Sequence, residues 1–179
     1  MTSSERHKRL VETIGLLEVP GIGRGRFARL VKVFGSAGAV RRATIGDLSA
    51  VPGISRAQAT SIHEQFDEAA ARIQAEKVEQ LGWTVLFPED AEYPSPLTMI
   101  EPPPPLLFRL GQAYSPADRM VAIVGTRHPT DRGRQFAHSL GRALASAGVG
   151  VVSGMAEGID TAAPAGALDG NGRTIANWG

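Results

Sequence analysis

The sequence predicts two joined modules, a small α-helical domain and then an α/β domain on a Rossmann-like parallel sheet that the chain leaves incomplete at its C-terminus. Three observations point there. Apolar residues recur at helical spacing through the first 82 residues; a helix, turn and helix unit appears twice, as LLEVPGIGRGRFARL and LSAVPGISRAQATSI; and from Met120 short apolar runs alternate with helical stretches. Strands alternating with helices imply parallel pairing through right-handed crossovers. A chain of 179 residues suits two unequal modules. The expected division is a helical domain over 1–82, a strand and proline-rich connector over 83–119, and the partial Rossmann-like domain over 120–179.

Taken in order, Leu10, Val11, Ile14 and Leu17 mark a first helix from Glu5 to about Glu18, ended by the breaker VPGIG. A second helix is expected over Arg24 to Phe34, stopping at Gly35, and a short one near Ile45 to Ala50 leads into the second VPG. Ser55 is placed to cap the next helix, which has no breaker from Arg56 until Gly82 and is expected as one long helix with an acidic, solvated face. WTVLF then reads as a strand, and the run Pro102 to Pro105 as an extended, stiff connector. Beyond it come the strand MVAIVG, a turn TRHPTD, a helix over Arg132 to Ala147, the strand VGVVS, a loop GMAEGID, a helix through Leu168, a GNG turn and the strand TIANW.

Composition narrows the chemistry. Hydrophobic residues make up 42% and charged residues 21%, which supports a packed core. Cysteine is absent, so disulfides, thiol catalysis and cysteine-bound zinc are excluded, and a reducing, cytoplasmic setting is expected. No run approaches the ~20 apolar residues of a membrane span, and the N-terminus lacks a signal-peptide pattern, so a protein with no membrane partner is expected. The net charge of +1 conceals an asymmetry: residues 1–42 hold nine basic and three acidic side chains, residues 43–100 three and nine. The basic segment suits a phosphate-rich partner as well as it suits an ordinary helical surface.

Three stretches carry candidate chemistry. In VPGIGRGRFARL, Gly21 and Gly23 permit a sharp turn that leaves helix-start amides free for a phosphate beside Arg24 and Arg26, the secondary candidates for phosphate contact; a hairpin used only for packing is the alternative. The second copy replaces the second glycine with Ser55 in an acidic stretch and favours packing. In AIVGTRHPTDRGRQ, Gly125 follows a strand and Arg127 projects from the loop into a helix, an arrangement suited to an anion. It is not GxGxxG and lacks the acidic ribose partner, so a dinucleotide is poorly supported and no cofactor is expected. In VVSGMAEGID, Ser153 lacks the GxSxG elbow, the Gly166–Thr174 stretch is not a Walker loop, and the four histidines have no metal-site spacing. Neither a catalytic residue nor a metal ligand is therefore assigned, and Ser153, Gly154 and Gly158 are expected to form a small-residue surface open to a sugar-phosphate chain.

Read in order, YPSPLTMIEPPPPLLFRLG, VAIVGTRHPTDRG and VVSGMAEGIDTAAPAGALDGNGRTIA resemble the DNA-processing protein A family (DprA, also called Smf), over nearly the whole chain. The helical region is similar to the family's sterile-alpha-motif-like N-terminal part. The resemblance implies a Rossmann-like domain that binds single-stranded DNA, protects incoming strands in natural transformation and helps load the RecA recombinase, a role in binding and not in turnover. It implies that Arg127 and Arg173 contact phosphate and that Gly125, Ser153 and Gly154 line the same pocket. Phe136, Trp178 and Tyr114 are stacking candidates, with core packing favoured for the first two.

The chain departs from the family pattern at GIDTAAP, where Pro164 replaces a histidine and predicts a late or distorted helix, and at TIANWG, where Asn177 in a buried strand would need a partner. The later part of family members contributes to the homodimer and to RecA contact, so both are left open for this chain. Two alternatives stay beside this reading: a phosphoribohydrolase-like nucleotide enzyme using Glu157 or Asp160, and a protein-interaction module docking through its acidic helix.

Overall fold

A computed structural model describes residues 2–115 and 117–178, and the chain divides into two units, 1–114 and 115–179. In the first, α1 (Ser3–Glu18) starts at a capping box in which the Thr2 hydroxyl accepts from the Glu5 amide and the Glu5 carboxylate from the Thr2 amide. α2 (Arg24–Phe34) ends at Gly35, whose left-handed φ of 87° lets its amide return to the Val31 carbonyl. α3 (Ala37–Arg42), which the sequence pattern did not announce, is capped by Ser36, and α4 (Ile45–Ser49) by Thr44. Residues 37–42 alone are too short to show a helical period.

The two repeats fold alike. In each, proline stands second and glycine third in a turn closed by a backbone bond, Ile22 to Val19 (2.9 Å) in one and Ile54 to Val51 (3.0 Å) in the other. Gly21 at φ 81° and Gly53 at φ 83° supply the positive φ that such a turn demands. Val19, Ile22, Val51 and Ile54 are all buried in one core with Leu16, Leu30, Leu48 and Ile62. The repeat is thus a packing repeat first.

The expected long helix over 56–82 is instead two, α5 (Arg56–Gln65) and α6 (Glu68–Gln80). Tertiary packing breaks it. Phe66 takes an extended conformation and turns inward against Gly15, where a Cβ would lie 2.6 Å from the ring, while Asp67 caps α6 by accepting from the Ala70 amide. No glycine or proline marks the break, so periodicity alone runs through it.

β1 (Thr84–Leu86) and β2 (Leu107–Arg109) form an antiparallel pair, with the one-turn α7 (Ser95–Thr98) between them. This part of the expected connector packs with the helices: Phe87 is buried with Leu10, Val11, Ile14, Ala71 and Ala75 of α1 and α6. Tyr93 is buried too, and its hydroxyl donates to the Pro104 carbonyl (2.9 Å), which ties the proline run down. Arg6 clamps the unit, donating to both Asp90 oxygens (3.0 and 2.5 Å) and to the Val85 carbonyl, and the Phe87 amide donates to Asp90 as well.

Arg6 holds the Asp90 carboxyl below the usual aspartate range, although burial opposes the shift. A depressed folded-state pKa means the stabilisation is complete above the unfolded value and disappears as pH falls through the folded one. Replacing Asp90 by Asn should therefore cost about 1–2 kcal/mol at neutral pH, the pair being partly solvated. The gap to the wild type should narrow as pH falls below the ordinary aspartate range and through the depressed folded-state value, which urea titrations across pH will measure.

The second unit is a three-stranded parallel sheet of β3 (Met120–Ala122), β4 (Gly150–Ser153) and β5 (Thr174–Ala176) in that spatial order. α8 (Asp131–Ser146) joins the first two and α9 (Ile159–Asp169) the second two. Both crossovers step the same way, so both helices lie on one face and pack against each other. They meet through small residues: a Cβ on Gly141 would strike the Ala163 carbonyl, and one on Gly166 the His138 carbonyl.

Pro164 sits inside α9, which nonetheless starts at Ile159 and runs unbroken to Asp169, contrary to the late or distorted start expected. Its missing N–H would have met the carbonyl of Asp160 in the first turn, so a single bond is lost. Asn177 lies past the end of β5 with its side chain exposed, so the expected buried side-chain amide does not arise; its backbone N–H donates to the Ser153 carbonyl (2.8 Å).

Candidate nucleic-acid interface

The carboxyl ends of β3 and β4 make one edge of the sheet, and the loops leaving them are held by α9. Asp160, 8% exposed in its first turn, accepts from the Gly125 amide through Oδ1 (2.9 Å) and from the Gly154 amide through Oδ2 (3.2 Å). One carboxylate thereby fastens both strand-end loops. Gly125 is also pressed on Ile159, where a Cβ would lie 2.7 Å away, and Gly154 on Asp160, at 2.8 Å. The amides of these two glycines are engaged internally, so their part in the site is to let the loops lie close to α9.

Ser153 is displaced from its expected role for a similar reason. It is 2% exposed, and its hydroxyl donates to the Ile123 carbonyl (2.6 Å), so the side chain braces β3 against β4 and offers nothing to a ligand. Gly158 is buried with φ 89° and ψ −124°, and a Cβ there would overlap the carbonyls of Thr126 and Arg127. The Ile159 amide donates to that same Thr126 carbonyl (3.2 Å). Residues 126–127 thus rest directly on the start of α9.

Arg127 is exposed on this loop and lines a cavity of about 390 Å³ with His128, Pro129, Arg134, Glu157, Gly158 and Thr161. Among the described residues its guanidinium has no hydrogen bond or ion pair within the protein. Several other arginines differ: Arg6, Arg9, Arg42, Arg72, Arg109 and Arg173 each face a carboxylate. The start of α8 adds its dipole beside the same loop, with Thr130 capping the helix through the Gly133 amide (3.1 Å). Glu157 is the one carboxylate lining the cavity, and it lowers the local positive potential.

Arg173 does not join this site. Thr174 pairs with Val151 at the start of both strands, so Arg173 stands at the amino edge of the sheet, where it is bonded to Asp118. The four residues of β4 separate it from Gly154, on the order of 10 Å at ~3.3 Å per residue. A linear motif records that two residues flank strands without recording which edge each occupies. Arg134, which the sequence reading did not single out, takes the neighbouring place instead; its position in the first turn of the helix that follows the Arg127 loop was the available signal. Phe136 and Trp178 are 67% and 78% exposed, so neither is a core residue as expected.

In the helical unit the two hairpins are unequal as anion sites. Gly23 caps α2 with no side-chain bond, whereas Ser55 and Gln58 satisfy the start of α5 by a reciprocal pair of bonds. Arg26 is partly occupied: it donates to the Gly21 carbonyl (2.9 Å) and the Gly53 carbonyl (3.3 Å), joining the two turns. Arg24 is exposed. Among the described residues no helix is long and apolar enough to cross a membrane.

Comparison with known proteins agrees with both units. Residues 14–68 match the SAM-like helix-hairpin-helix tandem, and residues 84–179 match DNA recombination-mediator protein A. The chain is 41% identical over 111 residues to protein Smf of Synechocystis and 36% over 113 residues to DNA processing protein DprA of Bacillus subtilis, covering 58% and 63% of this chain. It spans only 27% and 38% of those relatives' own lengths. The crystal structure of DprA from Streptococcus pneumoniae superposes with a TM-score of 0.68 at 27% identity, over 94% of this chain and 57% of that one. With its α/β unit matched throughout and more than half of its length covered by one family model, the chain belongs to the DNA recombination-mediator protein A family, DprA or Smf.

Proposed function

We propose that this chain binds single-stranded DNA through the cavity at the carboxyl edge of the sheet, with Arg127 gripping a backbone phosphate. The observation that carries this is the state of Arg127: a guanidinium without an internal partner, on a loop seated against α9, beside the start of α8. A fork of donors in that setting suits a phosphate oxygen pair. Gly125, Gly154 and Ser153 act by shaping and bracing the loops. Binding without turnover is the action, and the engagement of both Asp160 oxygens by loop amides supports it over a hydrolytic use of that carboxylate. Membership in the family supports a cytoplasmic role in natural transformation, protecting incoming strands and helping to load RecA; a homodimer and the RecA contact belong to the same proposal.

Arg127→Ala tests the site. In anisotropy titrations of a fluorescent oligothymidine, the variant should bind about tenfold more weakly. The slope of log affinity against log salt should fall by about 0.7, the value of one phosphate contact on a single strand. Same-length duplex should compete poorly. Unchanged slope and affinity would remove Arg127 from the interface. Equal or better duplex binding would move the function to the first hairpin, where Gly21, Gly23, Arg24 and Arg26 surround the start of α2 left without a side-chain cap.

A further inference from the structure

α8 presents one flank to a groove against α9. Arg134, Gln135, His138 and Ser139 stand at i, i+1, i+4 and i+5, and Ala162 and Ala165 of α9 face them as a low floor. The groove has a volume of about 410 Å³ and shares Arg134, Gly158 and Thr161 with the Arg127 cavity, so the two are continuous. Arg134 stands at the junction. It is exposed, and among the described residues its side chain has no hydrogen bond or ion pair, while His138 farther along is held by Asp169 (2.9 Å). Glu157 lines the Arg127 cavity but not this groove, and the carboxylate met farther along α8, that of Asp169, is held by His138.

We propose that Arg134 is a second phosphate-binding residue and that the groove between α8 and α9 carries the single strand onward from Arg127. The inference rests on the single-strand reading of the Arg127 cavity and adds a direction to it. Small floor residues admit a sugar-phosphate chain, and two unpartnered guanidiniums in joined cavities give successive phosphates separate partners.

The test compares Arg134→Ala, Arg134→Lys, Arg127→Ala and Arg119→Ala in the full chain, with a length ladder of oligothymidines at several salt concentrations. Arg119 lies before β3 at the opposite edge of the sheet, so its removal matches the charge change alone. Arg134→Ala should weaken binding about tenfold and lower the salt slope by about 0.7, lysine should restore the slope, and Arg119→Ala should change neither. The shortest oligomer that binds should also differ, since Arg134→Ala removes the gain from lengthening past the Arg127 contact. If Arg134→Ala behaves like Arg119→Ala while Arg127→Ala still weakens binding, the groove is not the path and the Arg127 site stands. If the wild type binds no oligomer, both are overturned.

Discussion

Asp160→Ala should lower the stability of the α/β unit by about 3 kcal/mol, because it leaves the Gly125 and Gly154 amides without their shared acceptor. For a domain of this size that is a fall of roughly 10–20 °C in the thermal midpoint. The loss should exceed that of an exposed carboxylate such as Glu157 by a wide margin. DNA affinity measured where the variant is still folded should fall too, since the loop that holds Arg127 follows directly on Gly125. A variant as stable as the wild type would show that water replaces the carboxylate at both amides, and would remove Asp160 as the fastener of the edge.

Gly158→Ala should be at least as damaging, by a different route. The backbone there has φ 89° and ψ −124°, a region almost confined to glycine, and an added methyl would overlap the carbonyls of Thr126 and Arg127. Strain and overlap together should cost about 3 kcal/mol or more. Any relief must come from moving the 126–127 loop off α9, so single-strand binding should drop more than in Arg127→Ala. Circular dichroism melts and anisotropy on the same sample separate the two effects. Binding equal to the wild type at lowered stability would mean that the loop position is not what presents Arg127.

These effects illustrate how differently parts of the site were legible. Arg127 was readable because a strand, a glycine and a helix start follow one another within a few residues, and chain order alone puts such an arginine at the carboxyl edge. Asp160 stood in the sequence as a candidate carboxylate for a nucleotide enzyme, and its fastening role was not legible there, since its two partners lie 35 and 6 residues away. Ser153 was misplaced because a strand's alternation does not say which face holds helices; here its hydroxyl points inward to Ile123. Arg173 was grouped with Arg127 by motif order, and pairing register puts it at the other edge.

The helical unit divides the same way. Helix starts at Thr2, Thr44 and Ser55 and the stop at Gly35 are local events, decided by side chains within three or four residues of the backbone groups they satisfy. The break between α5 and α6 depends on Phe66 finding space over Gly15, some fifty residues away in sequence.

The amino-acid sequence by itself thus determined the two-module order, the paired glycine turns, the alternation that makes a parallel sheet and the place of Arg127, because each follows from dihedral preference or periodicity over short stretches. Tertiary structure alone decided which amides Asp160 holds, which edge Arg173 occupies, and that Arg134 opens onto the same cavity as Arg127. Those depend on strand register and on the close approach of α8 to α9, and both are set by packing between residues far apart along the chain.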